Sequence, residues 1–252
     1  MKFTKKQIER YSRQIILKKI GTVGQKKLLK SSVLIVGVGG LGSPIAIYLA
    51  ALGIGKIGIV DKDKVEISNL SRQILFSTPD IKKKKSIAAL KKLKKINPDI
   101  QIKSFNTKLK KENIDHIGNN FDFIIDGSDN FTTRFIINDY CLKEKKILIS
   151  GAISKFDGQV YTFNFSKKNS PCLRCFIPKM PDNPDTDNCE FEGVLGTIAG
   201  IIGSIQANEI VKEILGIGSS LCGYILIVDS LKLNFRKVKL NQRSDCICNE
   251  KR

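Results

Sequence analysis

One histidine, His116, serves a chain of 252 residues. That scarcity excludes a histidine-built metal cage and argues against a Ser-His-Asp triad. His116 falls on a short helical pattern at residues 113–117 and reads as structural. Long apolar runs are missing too. No stretch of about 18 uncharged apolar residues occurs, so no membrane span is expected. The opening MKFTKK carries charge with no apolar stretch behind it, unlike a secretory signal, and a cytoplasmic protein is expected. Acids are in deficit, with 24 Asp and Glu against 43 Lys and Arg, a formal charge of +19. This balance invites a nucleic-acid reading. Yet no aromatic residues interleave with the lysine runs at 82–85 and 91–95, and no nucleic-acid motif accompanies them. No nucleic-acid partner is expected. The lysines read as solvated helix faces, or as a basic face steering an acidic protein partner. Seven cysteines, an odd number, argue against a disulfide framework and for metal ligation or a reactive thiol.

What is present begins with residues 31–72. Val33, Leu34, Ile35 and Val36 form a β-branched apolar run that reads as a buried strand. Gly37-Val38-Gly39-Gly40-Leu41-Gly42 follows directly, and residues 43–52 read as a helix. The pattern is G-x-G-x-x-G between strand and helix. Its glycines serve a tight turn, close approach of phosphate, and helix-on-strand packing. Phosphate oxygens would meet unpaired N–H groups at the positive end of the helix dipole. A second strand over residues 57–60 ends on Asp61, placing a carboxylate where ribose hydroxyls would lie. The continuation through Asn69, Arg72 and Gln73 departs from a hydride-transfer site. An arginine and two amides suit a triphosphate, whose charge must be matched while phosphorus is attacked.

Elsewhere, Thr4 and Gln7 spell a capping box for a helix whose inner face carries Ile8, Tyr11, Ile15 and Ile16. Arg10 and Arg13 lie three apart on it and can approach one ligand. Residues 23–29 read as a second helix. An amphipathic helix is expected over 85–96, with Ile87, Leu90 and Leu93 covering the sheet. Strands are expected at 100–105, 121–126 and 147–150, and a helix at 132–142. Asp126 and Asp129 fall at the carboxyl end of the 121–126 strand, where open α/β sheets bind ligands. Mg²⁺ takes one or two carboxylates plus phosphate oxygens and water, and Asp129 suits that role; a helix-capping aspartate is the alternative. After residue 150 the alternation at 158–165 reads as antiparallel. Residues 193–215 are a helix rich in small residues that permit close packing, and two strands end the chain. Cys172 and Cys175 form C-x-x-C, and Cys246 and Cys248 form C-x-C; four thiolates in two pairs suit a closed structural Zn²⁺ site. Between them, residues 176–192 are rich in proline and acid and read as a loop that exposes Cys189.

With D-x-D-x-V-x-x-S-N-L-x-R-Q after G-x-G-G-L-G, the chain resembles the ThiF/MoeB family of adenylating enzymes, relatives of the ubiquitin-activating enzymes. The resemblance runs from Arg10-Tyr11-Ser12-Arg13-Gln14 to the last cysteine pair. It is nearest the ThiF branch, through Gln73-Ile74-Leu75-Phe76 and Asn97-Pro98-Asp99-Ile100. It implies a Rossmann-like, mostly parallel α/β sheet with flanking helices that continues into antiparallel strands. One adenylation domain would span 1–252, with a nucleotide half at 1–150 and a carrier-binding half at 151–252. The implied reaction uses ATP and Mg²⁺ to adenylate the C-terminal glycine of a ubiquitin-like sulfur carrier, followed by sulfur transfer to a thiocarboxylate. A ThiS-like carrier would place this in thiamine thiazole synthesis; a MoaD-like carrier is the alternative, and a non-catalytic nucleotide-binding protein a remoter one.

Residue by residue, the resemblance implies that nucleotide is held by Arg13, Gly37, Gly39, Gly40, Gly42, Asp61, Asp63, Ser68, Asn69, Leu70, Arg72, Lys85, Asp129 and Asn130. Arg13 would reach the ATP phosphates, Lys85 of the 82–85 run the polyphosphate, and Asp129 the Mg²⁺. A homodimer is implied in which Arg72 reaches the partner's site. Cys189 would pass sulfur from a donor protein such as a cysteine desulfurase. Cys172, Cys175, Cys246 and Cys248 would bind Zn²⁺, although the family's second pair is C-x-x-C and here it is one residue shorter.

Overall fold

The computed structural model describes residues 2–182 and 193–250. Thr4 caps the first helix, α1 (Lys5–Ile15): its Oγ1 accepts from the Gln7 N–H at 3.1 Å, and Gln7 Oε1 accepts from the Thr4 N–H at 3.1 Å. Tyr11 is the buried residue of this helix, and its hydroxyl accepts from Asn97 Nδ2 at 2.9 Å. Ile8 and Ile16, expected on the inner face, are 51% and 69% exposed. The helix is pinned through one aromatic side chain, so Ile8 and Ile16 stay outside while Ile15 is half-buried. α2 (Gly21–Lys30) follows, then β1 (Ser32–Val36), α3 (Gly42–Leu52) and β2 (Lys56–Val60).

α4 (Lys85–Ile96) buries Ala88, Ala89 and Leu93, while Ile87, expected to cover the sheet, is 39% exposed. β3 (Gln101–Phe105), α5 (Lys111–Gly118), β4 (Phe123–Asp126) and α6 (Phe131–Lys143) complete the first half. Phe121, expected in the strand, precedes it and fills the core beside Leu34 and Ile124. β5 (Ile147–Ser154) and β6 (Asp157–Asn164) form a hairpin. A short helix, α7 (Leu173–Phe176), carries the C-x-x-C pair. The long α8 (Gly196–Leu215), β7 (Tyr224–Asp229), β8 (Asn234–Lys239) and the short α9 (Ile247–Glu250) end the chain.

The described residues form one eight-stranded sheet in the order β3-β2-β1-β4-β5-β6-β7-β8. β3, β2, β1, β4 and β5 run parallel, and β5 through β8 antiparallel. β1 faces two cores. Val33 and Ile35 point to one with α3, α4 and α8, while Leu34 and Val36 point to the other with α5 and α6. Such two-faced burial explains why parallel strands read as continuous apolar runs. Val36 pairs with Val60 and with Asp126, and Asp126 with Ser150. The parallel strands therefore finish level, and their following loops share one edge. The chain reverses its direction of winding between β1 and β4, the place where such sheets open a crevice. No helix of the described residues is long and apolar enough to cross a membrane.

Candidate active site

At that crevice Gly37 leaves β1 with φ of +81°, a left-handed conformation that favours glycine. A side chain there would meet the Gly127 carbonyl of the loop after β4 at 2.9 Å. Gly42 opens α3 so close to β1 that a Cβ would sit 2.0 Å from the Gly37 carbonyl oxygen, so its role is packing and it does not line the cleft. Gly39 and Gly40 do line it. The cleft has a volume of about 400 Å³, within the usual range for a small-molecule site. Five cations, Lys62, Arg72, Lys85, Lys108 and Arg134, face three carboxylates, Asp61, Asp63 and Asp129, so an anionic ligand is favoured.

Asp61 is buried at the tip of β2. It accepts from the Val38 N–H of the glycine loop at 2.9 Å and from the Asp63 N–H at 2.8 Å. Burial pushes its carboxyl above the ordinary range, and the nearby Lys85 charge pulls it partly back. Lys85 is set by a backbone clip: Val65 donates to the Lys83 carbonyl, Lys82 to Val65 and Lys85 to Asp63, at 2.8–2.9 Å. The clip starts α4 so that Lys85 turns inward, 93% buried and 3.5 Å from Asp63, while Lys82, Lys83 and Lys84 remain exposed. Of the four-lysine run, Lys85 alone lines the cleft.

The loop after β4 is held from below. Asp126 is buried and accepts from the Ser128 N–H at 2.9 Å and from the Ser128 and Ser150 hydroxyls at 2.6 Å. Gln206 of α8 donates to the Asp126 carbonyl at 2.8 Å. Asn130 is the N-cap of α6, accepting from the Thr133 N–H at 2.9 Å. That leaves the exposed Asp129 carboxylate clear of capping and in the cleft, accepting from the Asn130 amide at 3.3 Å.

Several expected positions fall elsewhere. Arg13 is exposed and outside the cleft lining. Arg10 donates to the Ile96 carbonyl at 2.9 Å and lies 4.0 Å from Asp99, so the two arginines do not converge on the cleft. Ser68 is exposed, Leu70 packs against the core, and the Asn69 amide oxygen accepts from the Glu66 N–H at 3.2 Å; none lines the cleft. Instead their turn delivers Arg72. The Arg72 and Gln73 N–H groups both donate to the Asn69 carbonyl, folding the segment back over Gly40. Arg72 thus lines the cleft of its own chain. Gln73 is buried beside Gly39, and its Oε1 has no hydrogen-bond partner among the described residues. Cys189 lies outside the described residues.

Sequence reasoning missed Lys62, Lys108 and Arg134 in the lining. A usable signal existed for two of them. Lys108 follows the third parallel strand and Arg134 lies on the first turn of the helix after the fourth, both beyond the carboxyl edge.

A second cluster sits away from the cleft. Cys172, Cys175, Cys246 and Cys248 are buried with all sulfurs within 4.8 Å of one another, including 3.5 Å from Cys172 to Cys246 and from Cys175 to Cys248. Tetrahedral Zn²⁺ with bonds of about 2.3 Å sets sulfurs about 3.8 Å apart, so the four fit that ion. The shortened C-x-C does not prevent this. The Cys246 N–H donates to the Arg243 carbonyl at 3.3 Å, and Cys248 falls on the first turn of α9, so both sulfurs face inward. The Arg243 N–H donates to Cys175 Sγ at 3.5 Å and Gln242 to Cys248 Sγ at 3.3 Å. Burial pushes the Cys172 thiol up, and that of Cys248 to about 11, so a cation is needed to hold them as thiolates.

Residues 11–249 match the ThiF family. The chain belongs to the ThiF family. It is 40% identical to a sulfur carrier protein adenylyltransferase of Thermus thermophilus, over 99% of this chain and 94% of that protein. It is 49% identical to a probable molybdopterin-synthase adenylyltransferase of Porphyra purpurea, over 92% of this chain but 60% of the longer relative. Among solved structures, Escherichia coli MccB with ATP superposes with a TM-score of 0.82 over 95% of this chain and 74% of that one. At 22% identity the likeness is one of fold.

Proposed function

We propose that this ThiF-family enzyme adenylates the C-terminal carboxylate of a ubiquitin-like sulfur carrier protein, with ATP as donor. The observation that carries the reading is the single cleft in which Arg72, Lys85 and Asp129 surround a glycine loop at the sheet's switch point. A carboxylate is a poor acyl donor because oxide is a poor leaving group. Attack by a carboxylate oxygen on the α-phosphorus of ATP releases pyrophosphate and leaves an acyl-adenylate, from which AMP departs readily. The protein's part is placement and charge balance. Gly39 and Gly40 admit the phosphates, Asp61 grips the ribose, and Arg72 with Lys85 offsets phosphate charge. Asp129 would hold Mg²⁺, which when bound neutralises phosphate oxygens. Arg13 lies outside its own cleft, so the role the resemblance gives it requires the second copy of a homodimer. The four cysteines would hold a structural Zn²⁺.

The finer reading is a ThiS-like carrier in thiamine thiazole synthesis, followed by sulfur transfer at Cys189. The 49% identity to the Porphyra relative favours the second reading, a MoaD-like carrier. Carrier-dependent exchange between pyrophosphate and ATP, run with each carrier type, tests catalysis and names the partner together. Cys189→Ser then separates the two, abolishing thiocarboxylate formation while sparing exchange in the first case. Absence of exchange with both carriers, in a protein that also fails to bind ATP, would overturn the reading.

A further inference from the structure

Two arginines line the cleft, and each is aimed by a backbone carbonyl instead of an acid. Arg72 donates to the Ser68 carbonyl at 3.1 Å and Arg134 to the Ser128 carbonyl at 3.0 Å. Among the described residues neither has a carboxylate partner. Lys85 differs, being faced already by Asp63 at 3.5 Å. A guanidinium has five N–H donors in a planar fork. One engaged by a single carbonyl keeps a second edge for a bidentate acceptor.

Position separates the two. Arg72 stands over Gly40 in the glycine loop, the phosphate end of the cleft. Arg134 is on the first turn of α6, past Asp129, with its guanidinium 5.8 Å from the Phe131 ring centre. Its charge also acts on the Tyr161 hydroxyl of β6. Ile153, on the part of β5 that extends beyond Ser150, completes that end of the lining. Arg134 therefore sits at the seam between the parallel nucleotide half and the antiparallel half. A carboxylate entering there approaches a polyanion, and repulsion must be offset by a cation that neither the phosphates nor an aspartate has taken.

We propose that Arg134 receives the carrier's terminal carboxylate in a two-point fork and so selects a free C-terminus over a blocked one. The inference rests on the adenylation reading above. Its rival is a purely structural one, in which Arg134 only tethers the Ser128–Asp129 turn.

The test uses the full chain, MgATP, and the carrier that supports exchange, prepared with a free C-terminal glycine and with the same glycine amidated. Arg134→Gln is expected to weaken the free-carboxylate carrier by about 10–100-fold, the size of a lost charge-assisted pair of hydrogen bonds. Affinity for the amidated carrier should stay within about twofold and for MgATP within about threefold, so wild-type preference for the free terminus disappears. Arg134→Lys should restore part of the preference, since the charge returns without the fork. Equal loss for both carriers, or a loss of MgATP affinity with the carrier preference intact, would overturn the proposal and leave Arg134 as a tether. A wild-type protein inactive with every carrier is a different failure, that of the adenylation reading itself.

Discussion

Replacing Lys85 by methionine removes one charge from a nearly closed position while keeping most of the side-chain bulk. The Lys85 side chain is 8% exposed and lies 3.5 Å from Asp63, whose own side chain is 52% exposed. Half-exposed pairs contribute about 0–1 kcal/mol, so the fold should survive. Its loss from a bound triphosphate is larger, because a hydrogen bond to a charged group contributes about 1.5–3 kcal/mol. MgATP affinity should therefore fall about 10–150-fold. Lys84→Met, on the same run but exposed, should change it by less than about twofold. There is also a pH signature. Burial raises the Asp61 carboxyl, and the Lys85 charge is the largest influence opposing that rise. Without Lys85 the carboxyl rises further, so the ionised form that accepts from the Val38 and Asp63 N–H groups is lost at higher pH. The acid limb of pyrophosphate–ATP exchange should then move upward in the variant. Calorimetric titration of ATP and exchange rates across pH 5–8 read both effects. Equal affinity losses in the Lys84 and Lys85 variants, or an acid limb that moves down, would refute the assignment.

Three further outcomes are expected. Asp80 is held at about 2, since burial would raise it but hydrogen bonds from Lys92 and Ser77 prevail. Its folded value is below the ordinary 3.8, so its stabilisation is full above that pH and fades as pH falls toward 2. Lys92→Met should lower urea stability at pH 7 by about 1–2 kcal/mol and by progressively less under acid, and a pH-independent loss would contradict this. At Gly203 of α8 a Cβ would lie 2.6 Å from the Leu41 carbonyl and 2.5 Å from Pro44 of α3. Gly203→Ala should cost about 1–3 kcal/mol in denaturant unfolding and weaken ATP binding through the shifted start of α3; an unchanged midpoint would show the helices can part freely. Cys248→Ser should release the metal in a colorimetric zinc assay and lower the melting temperature, whereas a wild-type protein that never carries zinc would remove that ion from the account.

The local signals were legible because the physics behind them is local. A β-branched run ahead of G-x-G-x-x-G announced β1, its turn and α3, and the acid closing β2 announced Asp61. Helix and strand positions through β6 followed from apolar period, with ends moved by a few residues. Where a side chain's direction depends on what it packs against, the pattern failed: Ile8, Ile16 and Ile87 have the right period and the wrong exposure.

Sequence alone determined the chemistry available to this protein: a glycine loop, basic and acidic groups spaced for a triphosphate, and two cysteine pairs. Tertiary structure decided which of them meet. It chose Lys85 from four lysines, left Arg13 outside, made Asn130 and not Asp129 the helix cap, and brought Lys108 and Arg134 to the same cleft. The reason is geometric. Parallel strands paired in register end level with one another, so loops tens of residues apart become neighbours, and no short-range pattern encodes the order in which those strands lie.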